Sequence, residues 1–305
     1  MVDKKFDRVA VLYGGTSSER EVSLNSGIAV HNALGSMGMD SLLFDTKDRS
    51  LSELVDLKVD AAIIMLHGKS GEDGTVQGAL DMLGIPYTGS RVAACALAMD
   101  KWRTKIVLRG LGLATPDFVL IRDESDLAAA STRLGFPLFV KPAREGSTIG
   151  ISKVSNENEL SVAVRIARGY DDLVIAEKSV NGAELTVAIV GNETLPVVRI
   201  EAPNNNYDYQ AKYISDETKY FCPSGLPDKL EEEIQSLGYS AFEAVGCRGW
   251  GRVDIMLDEF SRPWVLEVNT VPGMTNHSLV PKAALQSGIS FEALVRRILE
   301  TSDVA

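Results

Sequence analysis

Alternating strands and helices in the first third of the chain constrain the fold more than any other feature. Buried strands are predicted at 8–13 and 60–66, and a helical segment follows each of them. A strand, a helix and a second strand in succession form a βαβ unit, which requires a parallel sheet. Ligands bind such sheets at the carboxyl ends of the strands, where Gly14, Gly15 and His67 fall.

Two apolar segments near the C-terminus, 251–257 and 263–270, are predicted to pair as a β-hairpin. Residues i and i+2 of a strand point to the same face. Glu267 and Asn269 therefore project side by side from the second segment, and the same spacing separates an arginine from an aspartate on the first.

If the strands pair in this way, Arg252, Asp254, Glu267 and Asn269 gather on one face. Oxygen ligands without His or Cys suit Mg²⁺, which proteins hold with a few carboxylates together with nucleotide phosphates. A surface hairpin with solvated acids is the alternative interpretation of this segment.

A lysine at a strand end gives a second indication of phosphate chemistry. Lys141 closes a predicted strand and precedes the loop 144–150, which is rich in Gly, Ser and Thr. Small residues let backbone N–H groups approach phosphate oxygens, and lysine supplies positive charge. The loop is not a GxxxxGK[ST] motif, and Gly14-Gly15-Thr16 is not a GxGxxG motif. An ordinary hairpin at this loop is the alternative.

Composition excludes several classes of function. The 42 acidic residues outnumber the 31 basic ones, for a formal charge of −11, which argues against a general nucleic-acid binder. No apolar run approaches the roughly 20 residues that span a bilayer. Cys95, Cys222 and Cys247 are odd in number and lack metal-ligand spacing, so we expect a reduced, cytoplasmic protein.

The middle of the chain predicts further elements and one long loop. A single helix is predicted over about 91–110, and strands at 136–142, 151–154, 173–177 and 184–190. Residues 203–225 show little periodicity, and a loop of this length in a compact domain is usually functional or disordered.

Seven motifs, each weak alone, together resemble the D-alanine–D-alanine ligases of the ATP-grasp superfamily. They follow in the family's order and cover nearly the whole chain. The motifs lie within 14–23, 66–74, 99–101, 140–147, 207–213, 251–254 and 267–275. Leu185 and Val271 depart from the family pattern, and neither is a presumed ligand.

The resemblance implies an α/β (α+β) fold with an N-terminal βαβ parallel-sheet domain followed by a two-subdomain ATP-grasp fold. The implied boundaries are 1–96 for the N-terminal Rossmann-like domain, 97–182 for the central subdomain and 183–305 for the C-terminal subdomain. Within the last unit, residues 203–225 are expected to form a lid over the active site.

The resemblance also implies an enzyme that uses ATP to join two D-alanines through an acyl phosphate, with release of ADP, in peptidoglycan precursor synthesis. The implied cofactors are ATP and two Mg²⁺ ions, for which Mn²⁺ is an accepted substitute. The implied partners are small-molecule substrates, with neither nucleic acid nor membrane, and the family suggests a cytoplasmic homodimer.

Site residues carried over from the family fall into three sets. Nucleotide binding is implied for Lys101, Lys141, Glu177, Lys178, Val180, Glu184 and Lys212. Metal binding is implied for Asp254, Glu267 and Asn269. Catalytic or substrate-binding roles are implied for Glu19, His67, Ser147, Tyr213, Arg252, Gly273, Ser278 and Leu279.

Other activities stay open at this point. Within the same fold, a D-alanine–D-lactate ligase or a biotin-carboxylase-like enzyme is possible. The pair Lys212 and Tyr213 favours the dipeptide ligase, because depsipeptide ligases of this family usually lack that tyrosine. A non-catalytic nucleotide-binding regulator is a different class, and it would be expected to have lost a metal ligand.

Overall fold

The structure, a computed structural model, describes residues 6–202, 217–275 and 277–302. Its helices are α1 (Arg20–Ser36), α2 (Glu53–Asp56), α3 (Thr75–Leu83), α4 (Val92–Met99), α5 (Lys101–Gly110), α6 (Ser125–Leu134), α7 (Glu157–Arg168), α8 (Asp228–Ala244), α9 (Leu279–Gln286) and α10 (Phe291–Glu300). Its strands are β1 (Arg8–Tyr13), β2 (Asp40–Asp45), β3 (Ala61–Ile64), β4 (Phe118–Ile121), β5 (Leu138–Pro142), β6 (Ser152–Val154), β7 (Val174–Lys178), β8 (Gly182–Val190), β9 (Glu193–Thr194), β10 (Val198–Glu201), β11 (Lys219–Phe221), β12 (Trp250–Asp258) and β13 (Pro263–Asn269).

The first sheet is parallel, with strand order β2-β1-β3. Its centre is β1, in which Val9, Val11 and Leu12 are fully buried. The predicted βαβ unit is therefore confirmed. The edge strand β2 was not predicted, because its sequence Asp40–Asp45 has acids at both ends and little buried apolar surface.

The second sheet is antiparallel, with order β4-β7-β5-β6, and α6 and α7 cover one face. In its register Lys141 lies opposite Ile175, and Phe139 lies opposite Glu177. Opposite residues of an antiparallel pair share a face, so Lys141 and Glu177 are diagonal neighbours on one face.

The largest sheet runs β11-β10-β8-β12-β13, with β9 added beside β8, and α8 packs on it. The predicted hairpin is its edge, since β12 and β13 pair antiparallel. One expectation was wrong here: β11 lies inside the segment 203–225, which was expected to be a loop throughout. Pairing with β10 makes Lys219–Phe221 a strand despite its short length.

The single helix predicted over 91–110 is two helices. The chain turns extended at Asp100, and the Asp100 carboxylate accepts a hydrogen bond from the backbone N–H of Arg103 at 2.9 Å. This cap starts α5 at Lys101. No helix in the described part of the chain is both long and apolar enough to cross a membrane.

The two C-terminal helices return to the first sheet. Leu279 in α9 and Leu294 in α10 belong to the same buried core as Val9 and Leu12, and α10 contacts α1. This return brings the loop after β13 against the start of α1, where the candidate site lies.

Candidate active site

The β12–β13 hairpin forms one wall of the site. Arg252 lies opposite Asn269, and Asp254 lies opposite Glu267. Opposite residues in an antiparallel pair share a face, so all four side chains project together. The structure confirms both the hairpin and the shared face that the sequence predicted.

Asp254 is tightly held on this face. Arg252 donates to both of its carboxylate oxygens, from Nε and Nη2, each at 2.8 Å. The Thr186 hydroxyl donates at 2.7 Å and the Asn269 amide nitrogen at 3.0 Å. Four charge-assisted or polar contacts fix this carboxylate in one orientation.

Asp254, Glu267 and Asn269 offer a set of hard oxygen donors. Within the described ranges no group of three or more His, Cys, Asp and Glu side chains could hold a metal ion. A cation here would therefore rely on two carboxylates, one amide oxygen and ligand oxygens. That donor set fits Mg²⁺, which usually takes one or two carboxylates from the protein and the rest from phosphates and water.

Glu19, the residue before α1, faces the hairpin across a small polar chamber and is 5% exposed. Its carboxylate accepts a hydrogen bond from the Ser147 hydroxyl. A Cβ added to Gly146 would lie 2.5 Å from Glu19 Oε2, and one added to Gly68 would lie 2.7 Å from the same atom. Glycine at both positions is what lets two loops close on this carboxylate.

His67 lines the same chamber from the end of β3. Its Nδ1 is 2.9 Å from the Met65 carbonyl oxygen, and its buried Nε2 has no hydrogen-bond partner among the described residues. Burial lowers the pKa of His67, although the nearby Glu19 carboxylate opposes this shift. The neutral ring with the proton on Nδ1 leaves Nε2 as an acceptor that faces the chamber.

Glu72 is a site residue to which the sequence assigned no role. It accepts hydrogen bonds from the backbone N–H of Gly68 at 2.7 Å and of Val271 at 3.3 Å. Desolvation, reinforced by the charge of Glu19, raises the pKa of Glu72 to about 8. In the sequence, Glu72 is recognisable only as an acid inside a glycine-rich loop. The local sequence does not indicate its contact with Val271, which lies 199 residues away.

The loop after β13 lines the chamber with residues 270–273, whereas Ser278 and Leu279 lie just beyond this lining. The Ser26 hydroxyl accepts a hydrogen bond from the Met274 N–H at 3.0 Å, which fixes the backbone next to Gly273. Ser278 is the N-cap residue of α9, and Leu279 is its first residue. The first N–H groups of a helix lack partners within it, so this terminus suits a carboxylate.

A larger cavity of about 320 Å³ lies between the second and the largest sheet. Of the predicted nucleotide-binding residues, those that line it are Lys101, Lys141, Glu177, Lys178, Val180 and Glu184. Sequence analysis missed its apolar wall, which consists of Phe139, Ile151, Met256 and Leu266. In the sequence these residues look like ordinary strand positions, and only the structure shows that they line one cavity.

Lys101 joins the two sides of the site. Its Nζ donates to the Glu145 carbonyl oxygen at 2.7 Å and lies 3.3 Å from Glu267 Oε2. It therefore connects the loop after β5 to the hairpin.

Lys141 does not stand alone on its strand. Its Nζ donates to Glu177 Oε1 at 2.6 Å, and the other oxygen of Glu177 contacts the ammonium of Lys105. Burial opposes ionisation of Glu177, yet the two lysines lower its pKa below the usual value. Sequence analysis overlooked Lys105, which looked like one of several helix lysines.

The chamber and the larger cavity are connected. Both are lined by Lys101, Gly146, Ser147 and Glu267. The two cavities therefore adjoin along the loop after β5 and the hairpin. The predicted residues Lys212 and Tyr213 lie outside the described residues.

Comparisons with known proteins agree with this geometry. A family model described as "D-ala D-ala ligase C-terminus" matches residues 107–300, and one described as "D-ala D-ala ligase N-terminus" matches residues 43–90. A D-alanine–D-alanine ligase from Nitrosospira multiformis is 52% identical over 299 residues, which is 98% of either chain.

Two solved structures of D-alanine–D-alanine ligase from Bacillus anthracis are also similar. One has a TM-score of 0.86 at 36% identity. The other, complexed with ATP, has a TM-score of 0.83 at 33% identity. In both cases 96% of each chain is covered.

Proposed function

The chain belongs to the family of D-alanine–D-alanine ligases, and from this premise we propose that its two connected cavities are a single active site. The chain has the ATP-grasp fold of that family and is an ATP-dependent ligase that joins D-alanine to D-alanine. One observation supports this placement of the reaction: Lys101, Ser147 and Glu267 line both the nucleotide cavity and the polar chamber.

The reaction runs in two steps. A carboxylate oxygen of the first D-alanine attacks the γ-phosphorus of ATP, and ADP leaves, which forms an acyl phosphate. The amine of the second D-alanine, after losing a proton, attacks the carbonyl carbon, and inorganic phosphate leaves with the original carboxylate oxygen. An enclosed site is needed because water would hydrolyse the acyl phosphate.

In this assignment Lys101 and Lys141 bind the phosphates, and Lys178, Val180 and Glu184 bind the nucleoside. These five residues line the same cavity, and its apolar wall suits the base of a nucleoside. Glu177, with Lys178 and Val180, is expected from the family to contact the adenine, partly through its backbone. Its buried carboxylate holds Lys141, so we give the side chain of Glu177 a supporting role.

Asp254, Glu267 and Asn269 would hold two Mg²⁺ ions. Bound there, the ions would neutralise charge on the transferring phosphoryl group. Arg252, tied to Asp254 by two hydrogen bonds, has its guanidinium fixed on the same face.

In the chamber, Glu19 with Ser147 would pair with the ammonium of the first D-alanine. Arg252 and the N–H of Gly273 would stabilise the oxyanion of the tetrahedral intermediate, where preorganised donors contribute most. The N-terminus of α9, at Ser278 and Leu279, would bind the second carboxylate.

Three further assignments complete the proposal. The acceptor Nε2 of His67 would contact a substrate in the chamber. For Lys212 and Tyr213, family resemblance alone supports roles at the phosphoryl group and the first D-alanine. The proposed domains are residues 1–96, 97–182 and 183–305. We further propose that the protein is a cytoplasmic homodimer and that its product is used in peptidoglycan synthesis.

Phosphate release from ATP tests the proposed function. We expect release with D-alanine, formation of D-alanyl-D-alanine in equal amount, and little release with L-alanine. D-Lactate added beside D-alanine should not compete as second substrate at neutral pH. Release that is independent of D-alanine, or a depsipeptide as the main product, would contradict the proposal.

A further inference from the structure

Lys105 is a fully buried lysine that the reaction described above does not use. It lies in the second turn of α5 and is 0% exposed. Lysine is almost never fully buried unless it is paired, because its ammonium loses hydration. A lysine in this position therefore calls for a physical reason.

Lys105 contacts a hydroxyl, a carboxylate and an aromatic ring within the fold. Its Nζ donates to the Thr115 hydroxyl at 2.7 Å, and that hydroxyl donates to the Val265 carbonyl oxygen at 2.8 Å. Its ammonium contacts the carboxylate of Glu177 and lies 5.9 Å from the centre of the Phe118 ring. Lys105 does not line the nucleotide cavity. Among the described residues, the lysines that line it are Lys101, Lys141, Lys153 and Lys178.

Stability alone is a weak explanation for this arrangement. Replacing a buried ion pair with apolar residues of similar volume is often neutral or stabilising, because the pair must recover the cost of desolvation. Position 105 borders an apolar core in which Leu108, on the same helix, is also fully buried. Apolar residues at both 105 and 177 would have avoided the cost of desolvating two charges.

Charge gives a better explanation. Lys141 donates to one oxygen of Glu177, and Lys105 contacts the other. Lys141 and Glu177 alone would form a neutral pair, with little net attraction for phosphate. With Lys105 the three groups sum to a net charge of +1.

We infer that Lys105 is a positioning residue for nucleotide binding: it compensates the charge of Glu177, so that Lys141 presents an uncompensated positive charge to the phosphates of ATP. The inference rests on the proposed function, which places the phosphates beside Lys141. Lys105 itself does not touch the ligand.

The charge of Lys105 is sensitive to pH. Burial lowers the pKa of Lys105 to about 8, against the raising effect of Glu177. The positive charge of Lys141 lowers it further, and the more distant Glu267 raises it. Above pH 8 Lys105 loses its proton, the cluster falls from +1 to neutral, and affinity for ATP should weaken.

Equilibrium binding of ATP without D-alanine tests the inference in variants. Lys105→Met should raise the Kd for ATP at least about tenfold, the order expected for one unit charge several ångströms from phosphate at an effective dielectric constant of about 20. It should raise KM for ATP and leave KM for D-alanine unchanged. The control Leu108→Ala should lower Tm and leave the Kd unchanged.

A second substitution separates charge from packing. Glu177→Gln added to Lys105→Met removes the carboxylate, so that Lys141 again carries a net charge of +1. We expect the double variant to bind ATP more tightly than Lys105→Met alone, although it has lost one more native contact. A merely structural role for Lys105 predicts that the double variant binds less tightly, and that result would overturn the inference.

The wild-type protein supplies a test if Lys105→Met does not fold. The Kd for ATP should rise as the pH increases from 7 to 9, with proton uptake on binding near pH 8 detected by calorimetry in two buffers. A constant Kd without proton uptake would overturn the inference. Formation of D-alanyl-D-alanine by the wild type is measured separately, and its absence would refute the proposed function. If the wild type ligates normally and Lys105→Met binds ATP normally, only the role of Lys105 is refuted.

Discussion

Glu267 stands where the nucleotide cavity meets the polar chamber, and two roles converge on its carboxylate. It lies 3.3 Å from the ammonium of Lys101 and shares a face with Asp254 and Asn269. Nucleotide binding would bring phosphates to Lys101 and a cation to Glu267. The contact between Lys101 and Glu267 would then be replaced by contacts of each side chain with the ligand. Catalysis at this junction should therefore depend on the charge at position 267.

Glu267→Gln keeps the shape of the side chain and removes its charge. We expect kcat to fall at least about a hundredfold, a size typical of losing a key electrostatic group in an active site. Tm should change little, because the side chain is partly exposed. Steady-state kinetics across a range of Mg²⁺ concentrations is the measurement.

The matched control is Glu259→Gln, the same substitution in the exposed turn of the same hairpin. It should leave kcat unchanged. Near-normal turnover of Glu267→Gln at saturating Mg²⁺ would contradict the metal assignment.

The residues that sequence analysis found and those that it missed differ in the distance to their partners along the chain. Glu267 and Asn269 were identifiable because the two-residue spacing of a strand puts them on one face. Glu72 and Lys105 were not, because their function depends on groups that only the folded chain brings near. Glu72 accepts a hydrogen bond from Val271, 199 residues away, and Lys105 on α5 pairs with Glu177 on β7.

At the scale of single elements, the start of α5 controls where Lys101 lies. The Asp100 carboxylate caps the helix through the Arg103 N–H, and the Lys101 N–H donates to the Ala143 carbonyl oxygen at 2.9 Å. Together these contacts orient the first turn toward the site. Sequence analysis read 91–110 as one helix because its apolar periodicity continues across Asp100.

Asp100→Ala should shorten or loosen this turn. We expect a loss of about 1 kcal/mol in the free energy of unfolding, the usual cost of removing an N-cap. We also expect a higher KM for ATP, because Lys101 would be less well oriented. Denaturant unfolding and ATP kinetics measure the two effects.

Asp100→Asn is the control for the cap, since an amide oxygen can accept the same hydrogen bond. It should recover most of the stability and most of the ATP affinity. If Asp100→Ala raises KM for D-alanine and leaves KM for ATP unchanged, the cap does not act through Lys101.

Prediction of whole elements succeeded where a buried pattern is continuous. The strand β1 followed from an apolar run, and the β12–β13 hairpin followed from two largely apolar segments with polar side chains two residues apart. The strands β2 and β11 did not, because they are short edge strands that owe their conformation to pairing with β1 and β10. Tertiary pairing, rather than local preference, decides such strands.

At the scale of the whole molecule, three sheets and the returning C-terminal helices converge on one point. Glu19 and His67 follow strands of the first sheet, and Lys141 lies on the second. The largest sheet contributes the face that carries Arg252, Asp254, Glu267 and Asn269. No single segment of the sequence contains the site. Strand spacing predicted the hairpin face, and family resemblance joined it to the other segments of the site, whereas the contacts within the site required the structure.

In the proposed reaction, the carboxylate of a D-alanine bound in the chamber attacks the phosphoryl group bound in the neighbouring cavity. Transfer of oxygen tests it most directly. D-Alanine labelled with ¹⁸O in both carboxylate oxygens is turned over with unlabelled ATP in unlabelled water, and the released phosphate is analysed by mass spectrometry. We expect each released phosphate to carry one ¹⁸O for each D-alanyl-D-alanine formed, because phosphate leaves with the oxygen that attacked the γ-phosphorus. Phosphate without the label would contradict it.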